Sequence, residues 1–80
     1  MVGRLIIQHR GFVVRYKIEV AYNTIRERRV MPVATIEVAR NSKGNDYLAK
    51  TVERIWVHGT DDVKPSDITE VIVTAYRERL

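Results

Sequence analysis

No cysteine occurs among the 80 residues of the chain. Neither a disulfide frame nor a thiolate metal site is therefore available, and cysteine usage is compatible with a reducing compartment. Long apolar runs are missing too. Stretches such as Leu5-Ile6-Ile7 and Val71-Ile72-Val73 fall far short of the ~20 residues that span a bilayer as a helix. The apolar run after Arg4 is too short for the core of a signal peptide, and glycine stands at position 3, not position 2, where N-myristoylation needs it. The expectation is a cytoplasmic chain with no membrane partner.

Glycine is scarce and scattered, at positions 3, 11, 44 and 59. It forms neither a phosphate-binding loop nor a dinucleotide fingerprint. No nucleophile stands out, because Ser42 and Ser66 both sit in turn or cap contexts. The one cluster resembling a site is HGTDD at 58–62, where His58, Asp61 and Asp62 could ligate a metal if folding brought His9 to them. Their spacing matches no ligand motif, and carboxylates beside a Gly-Thr turn are ordinary loop residues. These absences lead us to expect a protein that is not an enzyme and holds neither metal nor cofactor.

What is present is a globular composition, 45% hydrophobic and 30% charged, in one domain near the lower size limit for folding without staples. The net charge of +4 is unevenly spread. Residues 1–40 carry eight Lys or Arg against three acids, and residues 41–80 carry six against seven. Ten of the fourteen basic residues are arginine, the side chain suited to bidentate contact with phosphate or carboxylate.

The clearest periodicity lies at 12–22. Phe12, Val14, Tyr16, Ile18, Val20 and Tyr22 alternate with a set that includes Arg15, Lys17 and Glu19, the period of a strand with one buried face. RLIIQHR before it reads as a short strand, with Gly11 allowing a turn or bulge between the two. A further strand is expected at 30–40, with Pro32 near its start or on an edge because proline cannot donate to a ladder. NSKGN at 41–45 is turn chemistry.

From Asp46 the period changes. Leu48, Val52, Ile55 and Trp56 make a helical stripe, with Lys50, Thr51, Glu53 and Arg54 on the other side. Asn45 or Asp46 can cap its start, and Gly59 stands where a left-handed residue would end it. The last segment carries a conflict. Ile68, Val71, Ile72, Ala75 and Tyr76 fit a helix, yet six of the seven residues 68–74 are β-branched, which favours a strand. The expected class is α+β, an antiparallel sheet of three to four strands with one helix on one face. The expected order is β-β-β-α-β, with β-β-β-α-α as the alternative.

Two kinds of contact surface follow. Arg10, Arg15 and Lys17, with the loop residues Arg26, Arg28 and Arg29, could dock an anionic partner such as nucleic acid or a nucleoprotein. Base stacking would have little part in this, since Phe12, Tyr16, Tyr22 and Trp56 all lie on apolar stripes and only Tyr47 and Tyr76 remain ambiguous. The alternative is a protein–protein adaptor, inhibitor or assembly subunit, acting through sheet-edge pairing and apolar surface, including as a homodimer. Val30, Met31 and Val33 make the 30–40 strand apolar on both faces at its start, and Leu5-Ile6-Ile7 does the same nearer the N-terminus.

Overall fold

The alternation at 12–22 becomes strand β2, Arg15–Asn23, in the computed structural model of the chain. The structure describes residues 3–10, 15–37 and 43–76, so Phe12 and Val14 lie outside it. Ile18 and Val20 are fully buried, while Tyr16 and Tyr22 pack against the same core from its edge. β1 spans Arg4–Arg10 and β3 spans Arg28–Glu37. A helix, α1, follows at Lys43–His58. A single 3-10 turn, Pro65–Asp67, leads into β4, Ile68–Tyr76. The order is β-β-β-α-β, so the β-branched composition of the last segment prevails over its helical stripe.

The sheet runs β1-β4-β2-β3. β2 is antiparallel to both β3 and β4, but β1 pairs parallel to β4. The sheet is thus mixed, not purely antiparallel. This correction has a topological cause: β4 inserts between the first two strands and must run the way β1 runs. Its position also explains its composition. A central strand has both edges hydrogen-bonded to neighbours, which suits a β-branched run such as VIVTA.

α1 lies on one face of the sheet, with its closest approaches to β3, β4 and the 3-10 turn. Ile55 of α1, Ile18 and Val20 of β2, and Val71 and Val73 of β4 form the buried centre, closed at one end by Val63 and Ile68. Thr51 belongs to this buried side, contrary to its expected place on the wet flank. Its hydroxyl donates to the Tyr47 carbonyl at 2.8 Å, so a polar side chain enters the core with its hydrogen bond made. Gly59 ends the helix as expected, with φ of 73° and its N–H donating to the Ile55 carbonyl at 2.8 Å.

Candidate functional site

The β2–β3 hairpin places the arginine cluster. Its turn is Thr24–Glu27, closed by the Thr24 N–H donating to the Glu27 carbonyl at 2.8 Å and by the Thr24 side chain. The Thr24 hydroxyl donates to the Glu27 carbonyl at 3.0 Å and accepts the N–H groups of Arg26 and Glu27 at 3.3 and 3.1 Å. Ile25 is pushed fully into solvent at the tip. Only Arg26 lies in the turn, because Arg28 and Arg29 already belong to β3.

The cations of this end are largely occupied by acids of the same chain. Arg29 forms a fork on Glu27, with both Nη2 and Nε at 3.0 Å from Oε1. Arg28 reaches across the sheet to Glu70 at 3.3 Å, and Arg4 approaches the same carboxylate oxygen at 3.9 Å. Glu70 is only 16% exposed and sits between the two guanidinium groups. Lys17 pairs with Glu19 at 3.6 Å. Arg15 opens β2, standing in register between Tyr76 of β4 and Glu37 of β3. Arg10 ends β1 opposite Tyr76. By register Arg15, Lys17 and Arg28 share the helix-free face, interleaved with Glu19, Glu37 and Glu70, whereas Arg29, opposite Tyr22, belongs to the other face. Pairing of this kind cancels much of the field that a phosphate backbone would feel.

The expected interface residues divide between the two faces. Val30 is exposed on the helix-free face, opposite the fully buried Ala21. Met31 and Val33 turn the other way and pack against the core; Met31 stands opposite Val20, and Val33 is the extra residue of the bulge between Pro32 and Ala34. Both also line a cleft of about 670 Å³ that runs to His58, Asp61 and Asp62. Among the described residues no group of three His, Cys, Asp or Glu side chains is placed to hold a metal ion. His9 stands in β1 opposite Ala75, at the other edge of the sheet from the β3 residues that line that cleft. The loop carrying the two aspartates is fastened like the hairpin turn, the Thr60 hydroxyl accepting the N–H groups of Asp62 and Val63.

The strongest exposed feature lies at the opposite edge. α1 is about 10–12 Å across, and with strands ~4.8 Å apart it covers little more than two of them. It sits over the β2 side of the sheet and leaves β1 only partly covered. Leu5 and Ile7 of β1 face the helix side but remain 48% and 55% exposed. Beside them a groove of about 430 Å³ runs under the flank of α1, walled by Leu48, Val52, Trp56 and Val57 with Val73 at its floor. Among the described residues Glu53 is the one charged side chain on its lining. Trp56 also closes over the start of β1, so near that a methyl group on Gly3 would overlap its ring.

No known protein family, curated protein or solved structure matches this chain. Among the described residues no helix is long and apolar enough to cross a membrane. Function has to be argued from these surfaces. The sequence signals the groove only in part: Leu5-Ile6-Ile7 is visibly apolar on both sides, and Val57 widens the helical stripe beyond one face. That α1 would stop short of β1 depends on sheet order, which no local pattern reveals.

Proposed function

We propose that this chain is a non-catalytic protein-docking module whose contact surface is the β1 edge and the apolar groove beside it. The carrying observation is the exposure of Leu5 and Ile7 next to a groove walled by Trp56 and Val57. A small domain gains from burying such side chains, at about 25 cal/mol per Å² of apolar surface, and it leaves this row open. Contiguous apolar surface with a polar surround is typical of a protein contact. The rival reading, an Arg-rich grip on nucleic acid or a nucleoprotein, is weakened by the internal pairing of Arg4, Arg28, Arg29 and Lys17.

Photo-crosslinking in cells that make the chain separates the two. A benzophenone amino acid at Val57, on the groove wall, should give a protein adduct that Leu5→Lys abolishes. The same probe at Lys17, on the helix-free face, should give none to nucleic acid. The parallel measurement is anisotropy with labelled single- and double-stranded DNA and RNA at low and high salt. Micromolar binding that weakens steeply with salt, together with no adduct at Val57, would return the anion-docking reading to first place.

A further inference from the structure

The two edges of the sheet are built differently. β3, at one edge, carries Pro32 and a bulge opposite Ile18 and Glu19, and it begins and ends on charged residues. Proline, bulges and terminal charges are the usual protections of an edge against pairing with another strand. β1, at the other edge, also begins and ends on charged residues, Arg4 and Arg10, but it has neither a proline nor a bulge. Its ladder with β4 runs from Arg4 to Arg10 without a register shift. The five residues between those arginines, LIIQH, include neither Lys, Arg, Asp, Glu nor Pro. One side of this strand is hydrogen-bonded to β4, and among the described residues the other side ends the sheet.

We propose that the occupant of this edge is a second copy of the chain, joined through antiparallel pairing of β1 with β1 about a two-fold axis through Ile6. The inference rests on the docking reading above and names its partner. Opposed residues in an antiparallel pair share a face, so a two-fold axis normal to the sheet must pass through a residue. An axis at Ile7 would set Arg4 opposite the other copy's Arg10 at both ends of the pair, and Leu5 opposite His9. Like charges directly opposed are destabilising. An axis at Ile6 sets Arg4 opposite Gln8 instead. It also pairs Leu5 with Ile7 twice on the helix side, and Ile6 with Ile6 on the other. This register therefore covers both exposed apolar residues of β1 and opposes no two cations.

The result is an eight-stranded sheet with both helices on one side. From β2 to its counterpart there are five strand spacings, so the two helices stand about 24 Å apart. The two grooves then merge into one trough walled by Leu48, Val52, Trp56 and Val57 of both copies. A further protein partner would meet this trough, so the docking reading can survive without the dimer. Seven-residue strands pairing edge to edge bury an area at the low end for specific contacts, below about 1,200 Å². Self-association in the range of about 10–100 µM is accordingly expected.

The absence of cysteine makes the register directly testable. Opposed Cα atoms in an antiparallel pair lie about 4.5–5.5 Å apart, within the reach of a disulfide. Ile6→Cys should oxidise rapidly to a covalent homodimer. Leu5→Cys and Ile7→Cys should each do so poorly alone, since their own two copies would be about 8 Å apart, but should form the mixed dimer readily when combined. Light scattering of the unmodified chain should show its mass rising from 9.3 kDa towards twice that value with concentration. Ile7→Lys should abolish the rise while leaving the circular dichroism spectrum intact, because this side chain is already half exposed. A chain that stays monomeric at several hundred micromolar, or an Ile7→Cys homodimer forming in preference to the Ile6→Cys one, would overturn the inference. A dimer indifferent to Ile7→Lys would overturn it too. A foreign protein adduct at Val57 would still uphold docking in each of those cases.

Discussion

Replacing Gly59 with alanine tests how the helix, the loop and β4 are joined. Two costs combine at this position. At φ of 73° an alanine must adopt the left-handed conformation, at about 1–2 kcal/mol. Its methyl group would also stand 2.3 Å from the Val63 carbonyl oxygen and 2.8 Å from Cδ of Pro65. Backbone and a proline ring cannot swing aside as a flexible side chain could, so overpacking adds about 1–3 kcal/mol. The sum, roughly 2–5 kcal/mol, is a large part of the 4–12 kcal/mol that about 0.05–0.15 kcal/mol per residue allows a chain of this size. Since each kcal/mol moves the midpoint of so small a domain by about 4–8 °C, the melting temperature should fall by at least ~8 °C. Thermal and urea unfolding followed by circular dichroism measure this. Gly59→Asn separates the causes, because asparagine tolerates the left-handed region better than alanine but brings a larger side chain to the same crowded spot. We expect Asn to be no better than Ala. A loss under about 1 kcal/mol for Ala, or a clear rescue by Asn, would refute the crowding argument.

Two further outcomes are expected. Ile55→Ala, which empties a site 1% exposed at the centre of the core, should cost about 2–5 kcal/mol; Val57→Ala, two residues on and facing the groove, should cost well under 1 kcal/mol by the same unfolding measurement. Changing Arg26, Arg28 and Arg29 together to alanine should leave the fold intact and remove about 1 kcal/mol, chiefly through the Arg28–Glu70 contact, since partly exposed ion pairs contribute little. A triple variant that unfolds would mean that the hairpin is packed more tightly than its exposure implies.

Local pattern and tertiary arrangement decide different things in this chain. Alternation of Tyr16, Ile18, Val20 and Tyr22 was sufficient to identify β2 and its buried side, because a strand's period acts on residues only a few positions apart. The helix and its Gly59 stop were equally local, resting on a 3.6-residue stripe and one left-handed position. The final segment was divided between two local rules. It was settled by place, since a central strand wants the β-branched residues that a helix does not. Thr51 looked like a wet-face residue in sequence and proved to be buried, because a threonine in a helix can spend its hydroxyl on the carbonyl four residues back.

Pairing between distant segments was not legible. Nothing in RLIIQHR announces that it will lie parallel to β4, some sixty residues away, or that α1 will leave it half exposed. Nor does the cluster RERR reveal that Glu70 and Glu27 will take up two of its three arginines. Charges and apolar residues are countable in a sequence, but their field and exposure depend on what stands within a few ångströms after folding. The sequence by itself settled β2 and its buried face, the existence of α1 and its main apolar stripe, and the end of the helix. Only the tertiary structure decided the mixed sheet order, the internal neutralisation of the basic hairpin, and the open edge at β1, because each of these is set by contacts between residues far apart along the chain.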